Sequence, residues 1–531
     1  MAISAHRKFS LASGLDVAWS RGPAWGRAFL ITLGVSLAAL GAGAVLGLAS
    51  NYPVLVWGVF LTAVALPVLW FRPAWAVYGL VLGAATFESF SLNFPDSLTD
   101  QIPFFKSYAS MGSPVPVPIS PAELLLGAGL LVLMLRRIAQ RERPLEGGPL
   151  VWAIGAFLLT VLLGFVYGIA TGGTAWIALW EIRPITYLLP AYLLAFNLVR
   201  TDKQIKLVFW LFLGAVALKG LIGTWRYLFT LEADLTRIAA LSSHNSLLAH
   251  EESLFFALFF TFILVMWLVQ GGRNQVGFAL LLSPPVLLSF LANQRRTGVL
   301  TLLLGTLITG VLVYLLVRHR RKIIGSLAVI GAAVLPVYLM AQGGGGSLLA
   351  EPARAIASIY QPGERDLSSN LYRAVETEDL ERNIRSSPIL GQGYGKPISW
   401  HISLPDLSDT FAFWEYIPHN TLLWIWLRAG FLGFVAFWFM MGRFLVEATL
   451  AAKTQRDPYL LGVAILAIAA TLGWLAMAAL DQGLVDFRSI TILGTFMGLA
   501  SRLSAQGASP EADSPPKSTD RISEWAARSG G

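Results

Sequence analysis

Arg318-His319-Arg320-Arg321-Lys322 separates two long apolar runs, VLTLLLGTLITGVLVYLLV at 299–317 and IIGSLAVIGAAVLPVYLM at 323–340. Neither run contains a charged residue. A helix rises about 1.5 Å per residue, so about 20 apolar residues cross a hydrocarbon core about 30 Å thick. The stretch reads as two membrane helices joined by a tight basic loop.

The pattern recurs along the chain. Further apolar segments occur at 28–48, 53–70, 74–87, 121–135, 150–170, 184–199, 207–229, 253–269 and 276–291, and then at 421–441, 459–480 and 489–503. The expected fold class is an all-α polytopic membrane protein of about 12–14 transmembrane helices with one large extracytoplasmic loop. Composition agrees: 55% of the 531 residues are hydrophobic and 13% are charged, where a soluble chain carries about 25% charge. There is no cysteine, which excludes disulfides and thiolate chemistry. The first apolar segment lacks a small-residue cleavage pattern, so it is expected to stay as an anchor. One helix start is well marked: Ser120-Pro121-Ala122-Glu123 supplies an N-cap, a proline at the first position and a capping-box glutamate.

Charge in the short loops orients the segments. Arg136/Arg137/Arg141/Arg143, Arg200/Lys203/Lys206, Arg318/Arg320/Arg321/Lys322 and Arg443/Lys453/Arg456 fall in alternate loops, and the loops between are poor in lysine and arginine. The positive-inside rule then puts both termini in the cytoplasm. It also makes orientation in a membrane, rather than nucleic acid, the reason for the net charge of +8. The chain divides into a cytoplasmic segment 1–27, a first bundle 28–340, a large loop 341–418 on the far side, a C-terminal bundle 419–503 and a disordered cytoplasmic tail 504–531. The loop opens on the flexible run Gly343–Gly346 and is long enough for a few short helices.

On this topology the chemically capable residues converge on the face opposite the cytoplasm. Arg183 stands in Glu181-Ile182-Arg183-Pro184, Arg295 and Arg296 form the turn Asn293-Gln294-Arg295-Arg296-Thr297-Gly298, and His419 lies in Pro418-His419-Asn420. The Arg295/Arg296 pair breaks the orientation rule. Guanidinium forks accept phosphate oxygens in paired hydrogen bonds, and the N–H groups opening the helix after His419 add anion affinity. A neutral imidazole takes a proton near neutral pH. This chemistry suits a lipid-linked pyrophosphate donor. Interfacial arginines also snorkel to headgroups, and a lone histidine often caps a helix, so only the combination points to a site. His244, His250, Glu251 and Glu252 invite a metal reading, but a His-x5-His spacing does not fit one helical turn, and no metal is expected. Trp400, His401, Trp414 and Tyr416 could stack on sugar rings or simply pack the loop. No phosphate-binding glycine loop with its lysine and no Ser-His-Asp constellation is recognisable.

Pro418-His419-Asn420-Thr421-Leu422, followed by Arg428-Ala429-Gly430-Phe431-Leu432-Gly433, resembles the signature of the O-antigen ligase and O-antigen polymerase superfamily. Pro388-Ile389-Leu390-Gly391-Gln392-Gly393-Tyr394-Gly395 is similar to its Pro-Leu-Leu-Gly-x-Gly turn, Arg373 to a common arginine before that turn, and Arg296-Thr297-Gly298 to its Ser-Arg-Gly-type turn. The resemblance implies transfer of a glycan from undecaprenyl pyrophosphate to a glycan, lipid or protein hydroxyl acceptor outside the bacterial inner membrane, by an inverting enzyme without metal or other cofactor. It makes His419 the general base and Arg296, with Arg295, the pyrophosphate ligands. Arg183 joins them by its place at a helix mouth, and Arg373, Asn420, Trp400 and Trp414 become candidate substrate contacts. Arg428 stands where the family usually has an acidic residue. It lies about 13 Å below His419 along the helix and, like mid-helix Lys219, needs an internal partner such as Glu181 or Asp481. The shared motifs leave ligase and polymerase open. A transporter of lipid-linked or anionic solutes would use the same arginines without a base, and an envelope-assembly scaffold would need none of them.

Overall fold

The computed structural model describes residues 65–89, 99–107, 119–143, 145–234, 247–343, 347–408 and 411–507, with two isolated positions at 30 and 34. All but two positions of the expected segment 28–48, most of 53–70, His244, residues 344–346 and the tail beyond 507 lie outside the described residues. The helices are α1 (Trp75–Thr86), α2 (Pro121–Ala139), α3 (Val151–Ala170), α4 (Ala175–Ile182), α5 (Leu188–Leu198), α6 (Asp202–Trp225), α7 (His250–Val269) and α8 (Arg273–Ala292). They continue with α9 (Arg296–Leu316), α10 (Arg321–Gln342), α11 (Glu351–Ala357), α12 (Glu364–Ser386), α13 (Thr421–Thr454), α14 (Pro458–Ala478) and α15 (Phe487–Gly507). Eight helical stretches among the described residues are long and apolar enough to cross a bilayer. The protein is an all-α polytopic membrane protein, as its hydropathy predicts.

Caps set the boundaries. Ser120 and Glu123 close the capping box that opens α2, Thr201 and Gln204 form another at α6, and Asp457 caps α14 ahead of Pro458. Close packing uses small residues, as lipid supplies no hydrophobic drive between helices. Gly494 and Gly498 of α15 lie directly against the Leu188 and Tyr192 carbonyls of α5. α7 and α14 are the most enclosed spans, whereas α10 has no buried residue and faces outward along its length.

The two ends of the bundle hold different charge clusters. At one end Arg137, Arg200 and Arg502 converge on Glu146, and Gln506 near the end of α15 donates to the Arg200 carbonyl. These belong to the arginine-rich loops that the alternation assigns to one side. At the other end stand the α8–α9 turn, the start of α7 and the layer made by α11 and α12, which the long loop contributes in place of the few short helices expected.

The mid-membrane cations are neutralised inside the bundle. Lys219 binds Glu88 and lies 3.2 Å from Glu252, while Arg488 reaches the same Glu252 oxygen at 2.6 Å. Arg428 pairs with Glu181 at 2.8 Å, one of the two partners the sequence offers it. Its other nitrogens donate to the Gly393 and Tyr416 carbonyls at 3.1 and 2.8 Å.

Candidate functional site

α13 is two helices joined at Gly430, whose φ of 68° and ψ of −171° interrupt the helical ladder. A Cβ there would come within 2.1 Å of the Ile389 carbonyl oxygen, so only glycine fits. The break frees carbonyls for the turn at 388–395: Gln392 N–H donates to Leu427 O at 2.6 Å and Gly393 N–H to Arg428 O at 3.2 Å. From the other side Gly395 N–H donates to Glu181 Oε2 at 2.5 Å. The turn is thus wedged between α3, α4 and α13, and it anchors the α12 layer over the start of α13. Leu380 and Ile384 of α12 complete the contact against Leu427 and Ile398.

This docking brings Glu376 of α12 to His419. One carboxylate oxygen accepts the His419 backbone N–H at 3.0 Å and the other lies 3.1 Å from Nδ1. Glu376 is almost fully buried, His419 keeps about a quarter of its side chain exposed, and the Tyr372 ring meets it edge-on at 5.6 Å. With Nδ1–H donating to the carboxylate, Nε2 is left as the free acceptor. Burial alone would lower the imidazole pKa. The Glu376 hydrogen bond and charge, with the charge of Asp481, outweigh burial and the opposing Arg373, and hold it above its ordinary value. Asn420, next in the chain, caps α13 by accepting the Leu423 N–H at 3.1 Å.

The arginine turn is fixed from below. Asn293 accepts the Leu248 N–H at 3.1 Å and donates to Ser253 Oγ at 2.9 Å, which staples the α8–α9 turn to the start of α7. Arg295 and Arg296 then line a cavity of about 330 Å³ together with Arg354, Arg373, His250 and Asp481. Its carboxylates include Asp366 of α12, 3.6 Å from Arg296, and Glu351, bound to Arg354. The wall on the bundle side is apolar, made by Phe290, Leu291 and Val299. His250 Nδ1 lies 3.1 Å from Asp481 Oδ2, so a second histidine–carboxylate pair borders the cavity. Burial would raise the Asp481 carboxyl. The charge and hydrogen bond of His250, with the charges of His419 and Arg373, instead hold it well below the usual carboxylate range. Arg373 and Asp481 line the cavity and also act on His419, so the two features form one site.

Of the residues singled out from sequence, Arg295, Arg296, Arg373, His419 and Asn420 gather here. Arg183 does not. It is buried in a two-bond pair with Glu123, Nε to Oε1 at 2.5 Å and Nη2 to Oε2 at 2.8 Å, and sandwiched by Trp180 and Phe487. Trp400 and Trp414 stack on each other at 5.9 Å, nearly parallel, and Trp400 packs against the Leu380–Ile384 cluster. Glu376, Arg354 and the pairing of His250 with Asp481 escaped the sequence reading. The last joins residues 231 positions apart and has no local signal. Glu376 had a faint one, as it follows Arg373 by three residues on a helix and therefore shares its face.

Comparison with known proteins bears on this region. Residues 278–438 match the model of a family described as O-antigen ligase. A curated O-antigen ligase of Salmonella typhimurium is 27% identical over 209 residues, which is 38% of this chain and 47% of that protein. The chain thus spans about half the length of the curated relative it matches. The matched stretch holds the arginine turn, Arg373, Glu376 and His419, and over it the chain is similar to the O-antigen ligase family.

Proposed function

We propose that the protein transfers a glycan from an undecaprenyl-pyrophosphate donor to a hydroxyl acceptor, at the end of the bundle facing away from the cytoplasm of the bacterial inner membrane. The observation that carries this reading is the pairing, in one site, of an arginine-lined cavity with a histidine whose Nδ1 is engaged by Glu376. Arg295 and Arg296 bind the pyrophosphate, with Arg354 and Arg373 on the facing layer, as paired guanidinium–phosphate hydrogen bonds require. Asp366 occupies Arg296 until the anion displaces it.

His419 Nε2 accepts the proton of the acceptor hydroxyl as its oxygen bonds to the anomeric carbon. The bond from that carbon to the phosphate oxygen breaks, and the electron pair leaves on undecaprenyl pyrophosphate, whose charge the arginines balance. Attack from the face opposite the leaving group inverts the anomeric centre. Glu376 fixes the tautomer and stabilises the imidazolium that forms. No step calls on a nucleotide or a metal ion. A one-step displacement onto a lipid or protein acceptor is the ligase outcome, and repeated transfer onto a lipid-linked repeat is that of a polymerase.

The test is turnover by the purified chain in lipid, with labelled undecaprenyl-pyrophosphate glycan, candidate acceptors and a chelator. Wild type is expected to consume donor, and His419→Gln to lose about 10²–10⁴-fold in rate while still binding it. A single adduct identifies a ligase, and a ladder of lengthening products a polymerase. Equal handling of the donor by both proteins, without transfer, would replace this reading with that of an anion carrier.

A further inference from the structure

A second polar pocket lies at the opposite end of the bundle from the arginine turn. α7 and α8 each run 20 residues between the two places, about 30 Å at 1.5 Å per residue. Arg200, a member of the Glu146 cluster, stands two residues before α6, so α6 starts at the end that the charge alternation assigns to the cytoplasm. There a cavity of about 310 Å³ is lined by Lys206 and Trp210 of α6, by residues 272–275 where α8 begins, and by Tyr459 of α14. Glycine shapes the turn. Gly272 has a φ of 56°, and a Cβ on it would come within 3.1 Å of the Tyr459 ring. Gln275 Nε2 donates to the Lys206 carbonyl at 2.8 Å and ties α8 to α6, while Lys206 Nζ stands 5.1 Å from the centre of the Tyr459 ring.

Three features of this pocket call for an anion that also carries a hydroxyl. Lys206 and Arg273 are exposed cations, and no carboxylate among the described residues pairs with either. Asp457, two positions from Tyr459, is already engaged by the Tyr459 and Leu460 N–H groups at 2.8 and 3.0 Å. α8 opens without a side-chain cap, so its first N–H groups add partial positive charge. Tyr459 Oη and Gln275 Oε1, on side chains only 3% exposed, are buried without closing a hydrogen bond. The phenol has a proton to donate and the amide oxygen can accept one. Away from the rim the surface turns apolar: Trp210 packs edge-on against Phe278 at 5.2 Å, and Leu207 is exposed. A soluble phosphate would meet only the rim, whereas a phospholipid meets both surfaces. A zwitterionic headgroup would set its ammonium against Lys206 and Arg273.

We propose that this pocket binds the headgroup of an anionic phospholipid of the phosphatidylglycerol class. Lys206, Arg273, the first N–H groups of α8 and the Tyr459 hydroxyl hold the phosphodiester, and Gln275 Oε1 accepts from a glycerol hydroxyl. The acyl chains run along Leu207, Trp210 and Phe278. Bound there, the lipid joins the ends of α6, α8 and α14 and stabilises the bundle from the side away from His419.

The test is native mass spectrometry of the full chain in detergent, titrated separately with phosphatidylglycerol, phosphatidylethanolamine and glycerol 3-phosphate. Phosphatidylglycerol is expected to give an adduct that outlasts that of the zwitterionic lipid. Lys206→Gln with Arg273→Gln should weaken it by about tenfold, equivalent to about 1.4 kcal/mol. Arg141→Gln with Arg143→Gln removes the same charge from exposed positions outside the pocket and should leave it unchanged. Tyr459→Phe keeps the ring and should weaken the adduct by about threefold, the scale of one lost hydrogen bond. Phosphatidylglycerol should also raise the apparent melting temperature of wild type and not that of the Lys206/Arg273 variant. An adduct retained by that variant, an equal loss in the Arg141/Arg143 control, or equal affinity for phosphatidylethanolamine would overturn the proposal. If glycerol 3-phosphate binds as tightly as the lipid, the pocket is a site for soluble phosphates and the lipid assignment fails.

Discussion

Glu376 separates a histidine that merely caps a helix from one that can act. Its two oxygens hold the His419 backbone and Nδ1 at 3.0 and 3.1 Å, so tautomer and ring orientation have one cause. In wild type that carboxylate, aided by Asp481, keeps the imidazolium favoured to a higher pH than usual. A base must be neutral to act, so rate rises with pH through the His419 pKa. Glu376→Gln removes the charge that raises this pKa, and the acidic limb of the kcat/KM profile should move to lower pH. The plateau should fall by about 10–100-fold, the usual cost of removing the partner that orients a functional histidine. An unmoved limb in a pH–rate series would exclude the pair as a unit. Arg183 gives the opposite contrast. Its place at a helix mouth suggests a pyrophosphate ligand, yet its guanidinium is taken up by Glu123. Arg183→Ala should cost about 3 kcal/mol of stability, as losing one partner of a buried pair does. It should leave donor affinity in the folded fraction unchanged, and Arg183→Ala with Glu123→Ala should recover part of the loss. Thermal unfolding and inorganic pyrophosphate binding, measured on the same samples, distinguish this from a ligand role. The sequence shows residue type and depth here; which of several arginines is already occupied depends on a carboxylate 60 positions away.

At the scale of elements, the break in α13 is the part of the signature whose meaning was hardest to read. Gly430-Phe431-Leu432-Gly433 matched a motif, but hydropathy ran through it and predicted one helix at 421–441. The structure carries that helix to Thr454 and interrupts it at Gly430. Apolarity is blind to a local reversal of φ, and the turn that fills the break lies about 40 residues upstream. Helix α12 was hidden for a different reason. The stripe it buries mixes the polar Glu376, Asp379 and Asn383 with Leu380 and Ile384, so its apolar periodicity is weak. Gly430→Ala tests whether break and site are coupled. A backbone at φ 68° and ψ −171° is open almost only to glycine, and forcing another residue into it costs about 1–3 kcal/mol before any clash. The new Cβ would also press on the Ile389 carbonyl and push the 388–395 turn outward. The turn anchors α12, so the variant should lower the apparent melting temperature and also detach Glu376 from His419. Its acidic limb should then shift as that of Glu376→Gln does. A destabilised variant with an unshifted limb would show that the wedge supports the bundle without positioning the base.

Across the whole molecule, the alternation of basic loops is legible in the sequence because it is a sum over many loops and tolerates local error. The pairing of charges inside the bundle is not, because each pair joins distant segments. Lys219 is a buried cation in need of a partner; of its carboxylates, Glu88 lies just beyond the end of α1 and Glu252 in the first turn of α7, on either side of it in the chain. Glu252 also binds Arg488, so one carboxylate ties α6, α7 and α15 together just below the residues that line the arginine cavity. Glu252 is also only two positions from His250, on the same first turn of α7. Replacing it with glutamine keeps the shape and removes the charge that two buried cations share. A cation left uncompensated in such a place costs about 3–5 kcal/mol, so Glu252→Gln should markedly lower the apparent melting temperature in lipid or detergent. If the cost comes from uncompensated charge, Lys219→Met in the same chain should restore much of the lost stability, because one cation leaves with the anion. If it comes from lost packing or hydrogen-bond geometry at the start of α7, the double variant should instead be worse than either single one. The sign of that coupling, read from a double-mutant cycle of thermal unfolding, decides whether this network acts as a balanced set of charges or as a rigid brace for the helix that floors the site.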